Sequence, residues 1–404
     1  MPTKSIATKI VSHIQNAGHI AYFAGGWVRD HLLGLPSDDI DIATSASVEE
    51  IQILFPKTIP VGIAFGIVIV VEEGHHFEVA TFRKEREYSD GRRPLFIEKA
   101  SAEEDASRRD FTINGLFFDP LQDKLLDFVG GVADLKKGII RAIGDPHHRF
   151  LEDRLRMMRA VRYSTRFHFP IEIATEQAIL SHAKSLFPSV AIERVWQEFQ
   201  KMSLFADFNK GLEKLYSLNL LQVIFPSLKE ISSAEIQKRI ALFPLDKSCP
   251  LILELLHLFP EDSLEEHLGL VDYLKLSNLD KDHVRFFHKA KNLLDMPLLW
   301  QEKIENIEWA YFYSNPLSTL CISLFKAPID FHDKKRSSLM PFISRILEKK
   351  PLLKAEDLQK EGISPGPSLG ILLKEGEKLS TNDLLEDKTE VIKRLKSHPL
   401  WPKD

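Results

Sequence analysis

Two hydrophobic rhythms divide the chain. In the first 140 residues, apolar positions alternate or run in short blocks, which predicts strands at His19 to Ala24, Asp39 to Thr44, Gly66 to Val71 and Phe77 to Phe82. Glu72 to His76 reads as a hairpin turn around Gly74, and Trp27 to Leu33 as a helix between the first two strands. After Pro146 the spacing changes to three and four, as in Leu155, Met158, Val161 and Tyr163, and stays helical almost to the end. Pro170, Pro188, Pro226, Pro250, Pro260, Pro297 and Pro316 punctuate helices of ordinary length, with no fixed-period repeat or low-complexity tract. The polar run Asp330 to Ser338 (DFHDKKRSS) marks a late boundary, and Gly362 to Gly370 (GISPGPSLG) a rigid turn. The pattern predicts an α/β head followed by an all-α remainder.

Composition adds bounds. At 404 residues with 44% hydrophobic positions, the chain exceeds what one core serves, so two or more modules are expected. The longest apolar stretches, Gly66 to Val71 and Pro250 to Leu258, are too short to cross a bilayer, and Met1 to Lys9 lacks a signal-peptide core, which predicts a cytoplasmic protein with no membrane partner. Cys249 and Cys321, 72 positions apart, fit neither a disulfide framework nor a structural zinc site. The formal charge of −5 argues against a polyanionic partner, yet seven arginines (141, 149, 154, 156, 159, 162 and 166) fall between Arg141 and Arg166. They form either a basic seam or a helix face of salt bridges.

The strongest chemical signal is AYFAGGWVRDHLLGLPSDDIDIATS. A strand enters Gly25 and Gly26, a helix follows, and the next strand carries Asp39 and Asp41, which at a spacing of two share one face. Paired carboxylates suit Mg²⁺, which keeps waters and takes further ligands from phosphates. Two such ions would activate an attacking 3′-hydroxyl and stabilise a pyrophosphate leaving group. The glycines allow close backbone approach, and the helix N-terminus offers amide donors to a triphosphate. Separately, a GG turn and a DxD are ordinary; 13 residues apart across a strand–helix–strand unit, Gly26 and Asp39 favour an active site.

Around this core several residues carry two readings. Glu78 is either a third carboxylate ligand or a solvent-facing strand residue. Glu85 to Pro94 (EREYSDGRRP) reads as a mobile loop whose Arg92 and Arg93 either touch RNA or solvate the loop. Arg29 and Asp30 form an exposed ion pair unless they face the phosphates. Arg108, Arg109, Asp110 and Asn114 either contact phosphate and ribose or make a helix cap. Asp153 and Arg156, three apart on a helix, are either an intrahelical ion pair or a reader of base edges. In the second reading Asp153 accepts from an exocyclic amine and Arg156 donates to the ring acceptor, which admits C and A and rejects U and G.

The motifs GGWVRD, DDIDIAT, RRDFTIN, EDRLR and VAIERVWQEF, in this order and spacing, resemble the class II CCA-adding enzyme and bacterial poly(A) polymerase family from about Tyr22 to Lys201. The resemblance implies an α/β nucleotidyltransferase head, a mixed sheet with helices, at 1–141, a nucleobase-selecting neck at 142–208, a helical body at 209–330 and a tRNA-binding tail at 331–404. It implies that Asp39 and Asp41 hold metal, that Gly25, Gly26 and Arg29 cradle the triphosphate, and that Arg109, Asp110 and Asn114 contact the nucleotide. Asp153 and Arg156 match the family's protein template for CTP and ATP; Arg159 and Arg162 join the nucleotide-binding candidates, and Arg166 the RNA-binding ones. Glu193 and Arg194 match a helix-supporting ExR element. The chain departs from the family at Arg154, where proline is common, and at Gly115, where alanine is. Bacterial poly(A) polymerases often carry an arginine-rich strand where this chain reads GIAFGIVIV, which favours a tRNA substrate.

The expected activity is template-independent addition of C and A to a tRNA 3′ end from CTP and ATP. A poly(A) polymerase, a CC-only or A-only enzyme and a non-catalytic RNA-binding relative stay open. An antibiotic-modifying enzyme would leave some 200 helical residues unexplained. Oligomeric state stays open as well.

Overall fold

A computed structural model of the protein describes residues 3–61, 66–88, 94–243 and 249–402. They form two compact units, Met1–Phe243 and Pro244–Asp404.

The first unit opens with helix α1 (Thr3–Asn16), which buries Ile6, Ile10, Val11 and Ile14 at helical spacing against β1 (Ala21–Ala24). Helix α2 (Gly26–Leu32), β2 (Asp41–Thr44), α3 (Val48–Leu54), β3 (Thr58–Ile59), β4 (Ile67–Glu72) and β5 (His75–Thr81) follow. In β4 and β5 the buried residues alternate, Val68 with Val70 and Phe77 with Val79, as a sheet with one covered face requires. Glu73 and Gly74 join them with φ of 49° and 80°, the double positive-φ geometry of a tight hairpin. Next come β6 (Arg83–Tyr88), β7 (Pro94–Lys99), α4 (Ala102–Ser107), a 3₁₀ turn (Thr112–Asn114), β8 (Leu116–Asp119), β9 (Lys124–Asp127) and α5 (Gly131–Lys137). Among the described residues the main sheet runs β3-β4-β5-β2-β1-β8-β9, with β2 and β5 parallel and its other pairs antiparallel. The mixed head sheet is as predicted.

The segment from Glu85 differs from the expected loop. Residues 83–88 pair antiparallel with 94–99 in a separate two-stranded ribbon, from Arg83 opposite Lys99 to Tyr88 opposite Pro94. Arg83–Tyr88 (RKEREY) is charged at five of its six positions, so no apolar period announces the first strand of the ribbon. Arg92 and Arg93 lie outside the described residues.

Helices α6 (Pro146–Glu152), α7 (Leu155–Phe167), α8 (Ile173–His182), α9 (Ile192–Ser203), α10 (Phe208–Ser217), α11 (Leu220–Ile224) and α12 (Ser233–Ile240) complete this unit. The expected continuous helix through Asp153 and Arg156 is broken. Asp153 has φ −142°, and its carboxylate accepts from Leu155 N–H at 3.0 Å, so it opens α7 instead of lying on it.

The second unit is helical: α13 (Leu251–Leu256), α14 (Leu264–Tyr273), α15 (Asn278–Leu294), α16 (Leu298–Gln301), α17 (Asn306–Ser314), α18 (Ser318–Leu324), α19 (Ile329–Ser338), α20 (Met340–Glu348), α21 (Ala355–Gln359), α22 (Pro367–Asn382) and α23 (Lys388–Lys396). The polar run from Asp330 is itself helix α19, with only His332 buried. Pro367 stands in the first turn of α22, directly after Ser364, Pro365 and Gly366, where its missing N–H costs nothing. Leu353, Leu358, Leu369, Leu372, Val391 and Leu395 form a core of their own across α21 to α23. No helix among the described residues is long and apolar enough to cross a membrane.

Candidate active site

The turn from β1 into α2 sets the geometry. Gly25 has φ 64° and donates its N–H to Leu116 O at 3.0 Å, which pins the turn to β8. A Cβ on Gly25 would meet Arg109 Nη1 at 2.8 Å. That guanidinium has little room to retreat: Nε and Nη2 bond Asp105 Oδ2 at 3.2 and 3.0 Å, Nη1 bonds Asn114 O at 3.3 Å, and the group stacks on Phe117. Gly25→Ala is therefore expected to lower the kcat/KM for nucleotide addition roughly ten- to hundredfold by strain and by displacing Arg109, since misplacing a group by an ångström costs that much. Steady-state kinetics beside a melting curve checks this; unchanged kinetics in a folded variant would show that the turn tolerates a side chain.

Asp41 begins β2 opposite Ala24, and in the parallel register that pairs Ile42 with Val79 it neighbours Glu78 on the same face. Asp39 precedes the strand and is exposed, so the two aspartates are not both within it as expected. Burial first, then the Glu78 and Asp39 carboxylates, push the Asp41 carboxyl up to about 7, against the pull of Arg109. Carboxylates crowded enough to hold a proton near neutrality are hard oxygen donors suited to a divalent cation. Among the described residues no three His, Cys, Asp or Glu side chains converge as a ready cage.

Behind the turn a chain of polar contacts runs from Arg166 to Arg159, both on α7, so that the helix itself closes it into a ring. Arg29 Nε and Nη2 hold Asp30 at 2.9 and 2.8 Å, and its Nη1 donates to Asn114 Oδ1. Asn114 Nδ2 donates to Asp110 Oδ1 at 2.9 Å, Arg159 Nε to Asp110 Oδ2 at 2.7 Å, and Arg166 Nη2 to Asp30 Oδ2 at 3.0 Å. Arg29 and Asp30, expected as an exposed pair, are 3% and 4% exposed, because the ring and the Tyr163 and Phe167 faces cover them. Burial alone would raise the Asp110 carboxyl, but Arg159 and Asn114 outweigh it and hold it at about 2.

The arginine run is thus mostly ion-paired. Arg162 bonds Glu198 at 2.6 Å; Arg156 bonds Glu152 at 2.6 Å and the carbonyls of Arg149 and Arg108 at 3.0 and 3.1 Å. Asp153 and Arg156 do not pair with each other, since Arg194 Nη2 takes Asp153 at 3.2 Å. Asp105, which grips Arg108 and Arg109 together, escaped the sequence reading, although its spacing of three and four from them is a helical ion-pair signal.

Residues 21–141 match the family described as Poly A polymerase head domain, and 168–232 the one described as Probable RNA and SrmB-binding site of polymerase A. The chain is 36% identical to the CCA-adding enzyme of Ligilactobacillus salivarius over 408 residues, covering 96% of this chain and 95% of that protein. The chain belongs to the CCA-adding enzyme family. The CCA-adding enzyme of Lactobacillus johnsonii is 35% identical with the same two coverages. The crystal structure of Bacillus stearothermophilus CCA-adding enzyme in complex with CTP superposes with a TM-score of 0.80 at 28% identity, covering 98% of each chain. CCA-adding enzymes are tRNA nucleotidyltransferases, so the resemblance seen in the motifs holds for almost the whole chain, beyond Lys201 as well.

Proposed function

We propose that the chain adds C and A to the 3′ end of tRNA from CTP and ATP, releasing pyrophosphate, with Asp39 and Asp41 as the ligands of two Mg²⁺ ions. The observation that carries the site assignment is the strand register, which sets Asp41 opposite Ala24 at the Gly25 turn and beside Glu78, an arrangement whose burial and neighbouring carboxylates raise the Asp41 carboxyl. Bound Mg²⁺ supplies Lewis-acid activation of the 3′-hydroxyl and charge neutralisation at the leaving pyrophosphate. Gly25, Gly26 and Arg29 receive the triphosphate; Arg29 spends three of its five N–H donors on Asp30 and Asn114 and keeps two. Arg109, Asp110 and Asn114 position the nucleotide, and Arg159 and Arg162 hold the helix that faces it. Glu78 serves through its charge on Asp41. Arg92, Arg93, Arg166 and the tail from residue 331 are assigned to the RNA, in a cytoplasmic protein.

Incubation with tRNA lacking CCA, with CTP and ATP, followed by sequencing of the ends, tests the reading. A complete CCA end is expected. A run of A residues would make the chain a poly(A) polymerase, and a stop at CC or an isolated A a split-function enzyme. Asp153→Ala is expected to raise UTP and GTP incorporation relative to CTP by tens of fold, as unmatched buried polar groups cost about 1–3 kcal/mol each. Unchanged discrimination in competition assays would make Asp153 a structural residue only.

A further inference from the structure

Helix α4 is only six residues long, yet both its ends are fixed. Ser101 and Glu104 close a capping box at its start. At its end Arg149 donates to Ser107 O at 2.9 Å, and Arg149 and Arg156 both donate to Arg108 O at 3.1 Å. Asp105, on this helix, is 1% exposed, and its two oxygens are divided between two guanidinium groups. Oδ1 accepts from Arg108 Nε at 2.9 Å, with Arg108 Nη2 2.7 Å away, and from the N–H of Arg83 at 3.3 Å. Oδ2 accepts from Arg109 Nε and Nη2 at 3.2 and 3.0 Å. With Nη1 on Asn114 O, Arg109 has spent three of its five N–H donors among the described residues. One is left on each Nη, and Nη1 stands 2.8 Å from the Cβ position of Gly25, at the turn to which the triphosphate is assigned. We propose that Asp105 is the positioning residue that presents the remaining donors of Arg109 to the triphosphate.

An ion pair that served only the helix would look different. Pairs spaced three and four on a helix are ordinarily solvated and weak, and the ends of α4 are already held without this one. Burial alone would raise the Asp105 carboxyl, but Arg109 and Arg108 outweigh it and keep it below the ordinary range, so the group stays a carboxylate. What that carboxylate supplies is the direction of Arg109. The Phe117 ring, 4.9 Å from Arg109 Cζ, leaves the guanidinium free to turn over its face, and a single bond to Asn114 O does not stop it. Two bonds to one fixed oxygen do. Released from Asp105, the guanidinium would be drawn towards the Asp41 carboxyl, on which it already acts.

The inference rests on Arg109 touching the nucleotide, and the experiment separates the two. The KM for CTP, for ATP and for tRNA lacking CCA, and the inhibition by inorganic tripolyphosphate and by cytidine, are measured with melting curves. The proteins compared are wild type, Asp105→Asn, Asp105→Glu, Arg109→Ala and the Asp105→Asn/Arg109→Ala double variant. Asp105→Asn is expected to raise the KM for CTP and ATP alike, and the Ki of tripolyphosphate, roughly tenfold, because the lost contacts are charge-assisted. The KM for tRNA and the Ki of cytidine, which carries no phosphate, should stay near wild type. Asp105→Glu keeps the charge but shifts the guanidinium by about an ångström, and should lie between. In the Arg109→Ala background Asp105→Asn should add nothing, because the two act as one unit. If Asp105→Asn weakens cytidine and tRNA as much as tripolyphosphate, or repeats its full effect in the double variant, Asp105 does not act through Arg109 and the inference is overturned. An unchanged KM for CTP in Asp105→Asn, where Arg109→Ala raises it, overturns it as well. Should Asp105→Asn not fold, an unchanged KM in Asp105→Glu does the same. If Arg109→Ala itself leaves the KM for CTP and the Ki of tripolyphosphate unchanged, the assignment of Arg109 falls first and the inference with it.

Discussion

Replacing Asp41 with asparagine is expected to silence nucleotide addition and to make the metal-free protein more stable at pH 8. The Asp41 carboxyl is raised from 3.8 to about 7, so the native state keeps a proton that the unfolded chain releases near pH 4. Between those values the native state binds more protons, and stability falls as pH rises from about 4 through 7. A shift of about three units corresponds at most to about 4 kcal/mol, which relaxation and partial solvent contact reduce to about 1–2 kcal/mol. Asparagine keeps the shape and removes the charge. In chelator at pH 8 the variant should melt several degrees higher, with the gap narrowing below pH 7 and closing near 4. Incorporation of labelled CTP with Mg²⁺ should fall by about a thousandfold or more, while filter-bound tRNA is retained. An active variant would remove Asp41 from the metal ligands; an inactive one with no gain in stability would mean that the carboxylates do not strain the metal-free fold.

The legible part of this site is what local spacing encodes. Gly25 and Gly26 after one strand and Asp41 at the start of the next follow from strand period and turn chemistry, and the fold brings them together as that pattern implies. The buried ring was hidden because its members lie far apart in the chain: Arg159 and Asp110 by 49 positions, Arg29 and Asn114 by 85, Arg166 and Asp30 by 136. From sequence, Arg29 and Asp30 look like any adjacent charged pair, and only the Tyr163 and Phe167 rings folded over them make the pair a buried one. The helix break at Asp153 escaped for another reason. It depends on one side chain competing for a backbone N–H two residues on, which a three-four hydrophobic period cannot register.

Arg159→Ala should be the most destabilising single change in the ring, at about 3–5 kcal/mol, because it strands a buried charge. Asp110 is 7% exposed and, among the described residues, its carboxylate would keep only Phe111 N–H and Asn114 Nδ2 as donors, at 2.8 and 2.9 Å. Arg166→Ala should cost about 1 kcal/mol or less, since Arg166 is 28% exposed and its partner Asp30 remains doubly held by Arg29. Adding Asp110→Asn to Arg159→Ala removes the stranded charge and should return part of the loss, a non-additivity that a mere packing defect would not show. The pH profile supplies a second signature. The Asp110 carboxyl is lowered from 3.8 to about 2, so its contribution is complete above pH 4 and is lost as pH falls towards 2; in Arg159→Ala that loss should vanish. The chain has two units, so the measurement is hydrogen exchange at the α7 amides under urea, which reports the first unit without the second. Equal losses for Arg159→Ala and Arg166→Ala would place the two pairs at the same depth, and would leave the Asp110 carboxylate to solvent rather than to Arg159.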